Sequence, residues 1–136
     1  MTTAQAIIAA INARLGEVEG LTVLGYEPTM VVLPTAYTLL MGAGYEASGG
    51  MVAVRYRVRV RLCLLWQNSA VAETEALTWV ETIPMALGGG VLAETGGARL
   101  MLTEVELGFA TIGGVKGRTL DFVCAVDVGA VREGVC

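Results

Sequence analysis

The chain has 136 residues, and only 16% of them are charged, whereas soluble domains average about 25%. Hydrophobic residues make up 54% of the chain. We expect one domain over residues 1–136, and its charged residues are too few to cover its surface. The composition therefore predicts a subunit of an oligomer, in which a partner covers part of the apolar surface. A net charge of −4 disfavours nucleic-acid binding over the whole surface, since such proteins usually carry a basic excess.

The first predicted element is an amphipathic helix over residues 2–18. Its apolar side chains recur at steps of three and four residues, which places them on one helical face. They are Ala4, Ile7, Ile8, Ile11, Leu15 and Val18. Thr2 and Gln5 resemble a capping box at the start, and Gly16 and Gly20 offer the stop.

Short extended segments follow this helix. Residues 21–24 and 30–33 are predicted strands, and residues 35–41 continue the extended chain. No charge occurs between Glu27 and Glu46, but prolines and glycines interrupt the stretch. A membrane-spanning helix needs about 20 mainly apolar residues, so the pattern predicts a pair of buried strands and no membrane segment.

The most regular pattern is a long strand over residues 51–66. Side chains alternate faces along a strand, so this segment places four arginines on one face and an apolar row on the other. The arginines are Arg55, Arg57, Arg59 and Arg61. Residues 42–50 are a predicted glycine-rich loop at the tip of a hairpin. Sixteen extended residues would span roughly 50 Å, so we expect the hairpin to project from the domain.

A second helix and two closing strands are predicted for the rest of the chain. Asn68 or Ser69 caps the helix, and Pro84 ends or kinks it. Residues 88–97 form a flexible connection to closing strands at 99–109 and 118–128. Glycines at 113, 114 and 117 join these two strands.

Four acidic residues on the closing strands balance the four arginines. The alternating pattern places Leu100, Leu102, Glu104 and Glu106 on one face of the first strand. On the second, Asp121 and Asp127 lie opposite Leu120, Phe122, Cys124 and Val126. Cross-strand charge pairs within one sheet are the leading interpretation. A subunit interface and phosphate contacts in a DNA channel are the two alternatives.

No pattern in the chain predicts catalysis, a metal site or a cofactor. The sequence has no histidine, and its three cysteines match neither a disulfide framework nor a zinc pattern. Gly42, Gly44 and Ala47 formally match a dinucleotide-binding pattern, but a strand rather than a helix follows them. Residues 113–118 could cup an anion, although a solvated hairpin tip is the favoured interpretation. Cys136 is the thiol most expected to be exposed.

Three short segments and the order of elements carry a resemblance to a known family. The segments are Leu15-Gly16-Glu17-Val18-Glu19-Gly20-Leu21, Val23-Leu24-Gly25-Tyr26-Glu27-Pro28 and Val31-Val32-Leu33-Pro34. The long strand, the second helix and the closing pair of strands follow in order. Over nearly its whole length the chain resembles the tail terminator, or tail completion, proteins of long-tailed bacteriophages and related prophage elements.

The resemblance implies an α+β fold in which two helices pack on one face of a mainly antiparallel sheet. It also implies a structural virion protein, not an enzyme, that needs no cofactor. Six copies would form a ring at the tail-neck junction after synthesis in the host bacterial cytoplasm. The ring would cap the tail tube protein and meet the head connector, and DNA would pass through its lumen without sequence-specific binding.

Candidate interface residues lie on the hairpin and the first closing strand. They are Tyr45, Met51, Arg55, Arg57, Arg59, Arg61, Glu104 and Glu106. Two alternative functions stay open. One is a head completion or connector subunit of the same neck region. The other is a small oligomeric ligand-binding module or enzyme whose pocket lies between the sheet and the second helix.

Overall fold

The structure is a computed structural model that describes residues 4–24, 34–48, 51–65, 69–88, 90–92, 98–112 and 114–132. The described helices are α1 (Ala4–Leu15) and α2 (Ser69–Leu87). The described strands are β1 (Thr22–Leu24), β2 (Thr35–Ser48), β3 (Met51–Leu65), β4 (Gly90–Leu92), β5 (Ala98–Ile112) and β6 (Val115–Arg132). The predicted turn and strand at 25–33 lie outside these residues.

All six described strands form one sheet in the order β1-β2-β3-β6-β5-β4. β1 runs parallel to β2, and every other neighbouring pair is antiparallel. The three central ladders join β2, β3, β6 and β5 as consecutive antiparallel neighbours. This architecture confirms the predicted α+β class with a mainly antiparallel sheet.

Both helices contribute to one hydrophobic core on the same face of the sheet. α1 contributes Ile7, Ile11 and Leu15, α2 contributes Ala76, Ile83 and Leu87, and the sheet contributes the even-numbered apolar positions of β3 and β6. Val60, Leu62, Leu120 and Phe122 are fully buried there. The alternation of β3 and β6 therefore works as predicted, because their odd-numbered positions face away from the helices.

The β2–β3 hairpin pairs continuously along almost its whole length. Its ladder runs from Thr35 opposite Cys63 to Ser48 opposite Met51, with one irregularity between Leu40 and Gly42. The prediction of a loop over 42–50 is therefore wrong, since β2 extends to Ser48. Glycine weakens a strand without preventing pairing. That the hairpin projects from the domain stays a prediction.

A bulge in β5 changes which residues face the helices. The β5–β6 register shifts between Leu102 and Glu104, and the Thr103 hydroxyl donates to the Val123 carbonyl at 2.9 Å. One extra residue inverts the alternation beyond it. Leu102 therefore packs against the core, whereas Glu104 faces the other way. The prediction that these residues share a face is wrong for this reason.

α2 continues past Pro84, so of the two predicted outcomes, an end or a kink, the end is wrong and the kink stays a prediction. Proline removes one backbone donor but can be accommodated where packing holds the helix. Ile83 and Leu87 are buried in the core and anchor the last turn. The Arg14 guanidinium donates to the Leu87 carbonyl, and Gly88 follows with a φ of 76°. Both features are typical of a capped helix end.

The region after α2 also differs from the prediction. The short strand β4 pairs with the start of β5, where the sequence predicted a flexible connection. Gly117 lies within β6 rather than in the turn before it. Neither helix in the described part of the chain is both long and apolar enough to cross a membrane.

Candidate subunit interface on the charged face of the sheet

The face of the sheet opposite the helices carries most of the charged strand residues. We define the charged face by ten side chains that the strand registers place together. They are Arg55, Arg57, Arg59, Arg61, Arg99, Glu46, Glu104, Glu106, Asp121 and Asp127. These ten described side chains comprise five cations and five anions, so their charges balance. A balanced set of charges disfavours the predicted alternative of phosphate contacts, because phosphate binding requires a basic excess.

The best-formed ion pair on the charged face joins Arg61 and Asp121. Arg61 Nε donates to Oδ1 at 2.8 Å and Nη2 donates to Oδ2 at 2.9 Å. The Asp121 side chain is only 10% exposed. The hydrogen bonds to Asp121 raise the pKa of Arg61, and a further hydrogen bond to the buried Tyr37 adds to the effect. Asp121 is therefore largely buried, and both of its carboxylate oxygens accept hydrogen bonds from Arg61.

A second two-point pair joins Arg55 and Asp127 in a solvated setting. Arg55 Nε donates to Oδ1 at 2.6 Å and Nη2 donates to Oδ2 at 2.9 Å. The two side chains are 60% and 35% exposed. The hydrogen bond from Arg55 lowers the pKa of Asp127, and the same bond raises the pKa of Arg55. Solvent screening makes such a pair weaker than a buried one.

Arg59 lies between acidic residues but bonds to them loosely. Its Nη1 is 3.6 Å from Asp121 and its Nη2 is 3.7 Å from Glu106. Its buried Nε has no hydrogen-bond acceptor among the described residues. The contact with Glu106 crosses the intervening strand β6, so an arginine on β3 can reach a carboxylate two strands away.

Arg57 is the exception in the arginine row. It makes no ion pair within the described part of the chain, and its side chain is exposed. The Arg57 guanidinium lies over Gly42, the residue opposite Arg57 on β2. A Cβ added at Gly42 would lie 3.2 Å from the guanidinium carbon. Glu104 is exposed and likewise has no ion-pair partner among the described residues. Arg99 and Glu46 also make no ion pair among the described residues, so two cations and two anions of the charged face remain available.

The leading interpretation of the arginine row is therefore confirmed in part. Arg55, Arg59 and Arg61 pair with acids of their own sheet, and Arg57 does not. The role of all eight candidate interface residues stays a prediction. Tyr45 is 70% exposed, and the side chain of Met51 lies outside the described residues.

Exposed apolar side chains form a feature that the sequence analysis missed. They lie on three elements of the structure: β2, β5 and the outer side of α2. The largest members are Leu40, Met41 and Tyr45 on β2, Met101, Leu107 and Phe109 on β5, and Leu77 and Met85 on α2. A helical projection of α2 could have shown that its exposed apolar residues share one side. The irregularities in β2 and β5 break the strand alternation, so the sequence pattern does not show the apolar groups on those strands.

The outer side of α2 is less polar than its composition indicates. The hydroxyls of Thr74, Thr78 and Thr82 each donate to the backbone carbonyl four residues earlier, at 2.9, 3.2 and 2.9 Å. Threonine hydroxyls that bond back in this way are not directed to a partner. Leu77 and Met85 lie among them, 67% and 83% exposed.

The β5–β6 turn does not present free basic groups to an anion. Lys116 Nζ and the Arg118 guanidinium lie 4.9 and 4.5 Å from the centre of the Phe109 ring. Arg118 also lies 3.0 Å from a Glu73 carboxylate oxygen and donates to the Gly108 carbonyl. Cation–π and ionic contacts occupy these groups. The structure thus favours the predicted hairpin tip over the anion-binding turn.

The described residues offer few further candidates for a metal site, a reactive thiol or a cofactor site. No group of three or more metal-binding side chains occurs there. Cys63 and Cys124 are buried and form no disulfide, and burial raises the pKa of Cys124 to about 11. Gly42, Gly44 and Ala47 lie inside β2, so no helix begins where a dinucleotide would need one.

Two open grooves offer little to a small ligand. One, of about 550 Å³, lies beside Tyr45 and the Arg55–Asp127 pair, whose polar groups already bind each other. The other, of about 310 Å³, lies between Pro34 and α2 beside Trp79. Comparison of the chain with protein-family models and with curated proteins found no match.

Proposed function

We propose that this chain is a structural virion subunit of the tail terminator type. Copies of it form a ring, and the ring caps the tail tube and joins it to the head connector. The role is assembly rather than catalysis, and it needs no cofactor. The resemblance of the sequence segments supports the tail role, and the surface of the fold supports ring formation.

The observation that carries the proposal is the position of the exposed apolar groups on the sheet. Leu40 and Met41 lie on β2, whereas Leu107 and Phe109 lie on β5 at the opposite side. Two different apolar surfaces on opposite sides of a subunit suit head-to-tail contacts, in which each copy uses both surfaces. Such heterologous contacts close into rings when the rotation between copies permits.

The third apolar group suits a different partner. Leu77 and Met85 lie on α2, which packs against one face of the sheet rather than at its sides. A ring closed through β2 and β5 leaves this surface free. We assign it to contact with the tail tube or the connector, because exposed apolar patches on a subunit usually mark interaction sites.

The decisive experiment combines ring formation with tube capping. We expect purified protein to run as a ring in native mass spectrometry and to bind the ends of isolated tail tubes in electron micrographs. Leu107→Glu should abolish the ring, because it places a charge in a contact surface. The matched control Met85→Glu should keep the ring and weaken tube binding. Single chains at high concentration would refute ring formation, and binding only to filled heads would favour the neck-subunit alternative.

A further inference from the structure

The two outer long strands are each covered over only a few residues, at opposite ends of the sheet. β1 pairs with β2 only at Thr35, Ala36 and Tyr37, and β4 pairs with β5 only at Ala98, Arg99 and Leu100. In the described part of the chain, residues 38–48 of β2 and 101–112 of β5 have no strand on their outer side. Unpaired strand edges of this length are templates for pairing with another chain.

The directions of these edges suit a second copy of the same chain. β2 and β5 run antiparallel to one another within the sheet, since each alternates with β3 and β6. A neighbouring copy in the same orientation would therefore present its β5 antiparallel to β2. Pairing of this kind extends one sheet from copy to copy, with every charged face on the same side.

The short strands determine how the copies must be offset. β1 blocks the outer side of β2 at its start, and β4 blocks the outer side of β5 at its start. A neighbour's β5 can lie beside the free part of β2 only when it is displaced toward the hairpin tip at Ser48. A stagger between successive strands is what closed sheets with tilted strands require.

Arg57 lies in position to reach across this boundary. Its guanidinium extends over Gly42 on β2, and β2 is the last long strand on that side of the sheet. Arg59 provides a precedent, because it contacts Glu106 across one intervening strand. A neighbour's β5 would place its acidic row, which includes Glu104, one strand beyond β2.

We propose that β2 pairs with β5 of a second copy, and that Arg57 forms an ion pair there with Glu104 of the neighbouring copy. The inference rests on the proposed ring and specifies its subunit contact. It assigns a role to Arg57 and Glu104, two of the four charged-face side chains that have no ion-pair partner among the described residues. It also explains why a glycine lies at position 42, since a side chain there would push the guanidinium away from the edge.

Charge reversal tests the ion pair directly. Arg57→Glu and Glu104→Arg should each raise the concentration needed for ring formation by at least about tenfold, because each brings like charges together. The double variant Arg57→Glu/Glu104→Arg should restore the wild-type value. Glu75→Arg reverses an exposed acid on α2 and should leave ring formation unchanged. The measurement is native mass spectrometry across a dilution series.

A matched pair of glycine variants tests the path of Arg57 without changing any charge. Gly42→Ala should weaken ring formation, because the new Cβ conflicts with the Arg57 guanidinium. Gly44→Ala is the control, since its Cβ would meet nothing closer than the Arg55 carbonyl at 4.0 Å. Circular dichroism and thermal melting of each variant separate an assembly defect from a folding defect.

The outcomes distinguish the inference from the proposed function. If the wild-type chain forms no ring, the proposed function fails. If it forms rings and the folded variants Arg57→Glu, Glu104→Arg and Gly42→Ala assemble equally well, only the inferred contact fails. Weakened single variants with no restoration in the double variant would also overturn the ion pair. Restoration by the double variant together with the glycine difference would establish it.

Discussion

The two ends of the arginine row show how one sequence pattern can serve two purposes. At one end, Arg61 binds Asp121, a residue only 7% exposed, next to the buried Tyr37. Toward the other end, Arg55 binds Asp127 in contact with solvent, and Arg57 binds no acid among the described residues. The first end stabilises the fold and the second faces outward. Identical residues at equal spacing therefore differ in role because their neighbours differ.

Removing one acidic residue at each end of the arginine row should give the largest difference in stability between the two ends. Asp121→Asn deprives Arg61 of a two-point pair and Arg59 of a contact in a largely closed setting. We expect a loss of about 2–3 kcal/mol in the free energy of unfolding, somewhat below the value for a fully buried pair. Asp127→Asn should cost clearly less, because solvent replaces the lost contacts. Urea titrations measure the free energy of unfolding of both variants. Equal losses would contradict the difference between the two ends of the arginine row.

A hydroxyl deletion tests the Arg61 end of the arginine row alone. Tyr37→Phe removes the hydrogen bond between the tyrosine hydroxyl and Arg61 while keeping the buried ring. The expected loss is about 1 kcal/mol, the usual net value of one such bond. Tyr45→Phe is the matched control, since Tyr45 is 70% exposed and should change nothing measurable. A similar effect of both substitutions on urea midpoints would argue against the assignment.

Acid titration should separate the solvated pair from the rest of the fold. Arg55 lowers the pKa of Asp127, so this pair stabilises the folded state above the unfolded carboxyl pKa of about 3.9. The contribution is lost as the pH falls through the lower folded pKa. The stability difference between wild type and Asp127→Asn should therefore be present at neutral pH and vanish in strong acid. A constant difference would exclude the pair as its cause.

Thiol labelling gives the smallest but most local comparison. Cys63 is fully buried just beyond Arg61 on β3, and Cys124 is buried with a pKa of about 11. Neither should react with a thiol reagent at pH 8 until urea is added, because only a solvent-accessible thiolate reacts. Met101→Cys places a thiol on the outward side of β5, where Met101 is 40% exposed, and it should react at once. Rapid native reaction of Cys63 would show that this part of the sheet opens.

Regular alternation explains which parts of the fold the sequence could predict. β3 and β6 alternate without interruption through their buried stretches, so Val58, Val60 and Phe122 fall where the pattern placed them. The bulge at Thr103 and the irregularity after Leu40 left no comparable signal. A bulge depends on pairing with the neighbouring strand, and one sequence read alone does not contain that partner.

The candidate interface was predictable only as a set of charges. The row of arginines and the four acids were visible, and Asp121 and Asp127 lie on the face expected for them. The sequence did not show which arginine lacks an acidic partner, because that depends on how the strands pair. Gly42 lies beside Arg57 through the β2–β3 register, and Ala125 flanks it on β6. Arg59 also has uncharged direct neighbours, Leu39 and Val123. It nevertheless reaches Asp121 and Glu106 diagonally, and Arg57 reaches no acid in this way among the described residues.

The bulge at Thr103 constrains how β5 can change in length. Before Thr103 the even positions face the helices, and after it the odd positions do, as at Leu102 and Val105. Deleting this single residue would leave a regular strand in which Leu102 and Val105 still face the helices and Glu104 still faces away. The strand could therefore lose Thr103 more readily than a residue elsewhere in its paired length, where a deletion would move every following side chain to the opposite face.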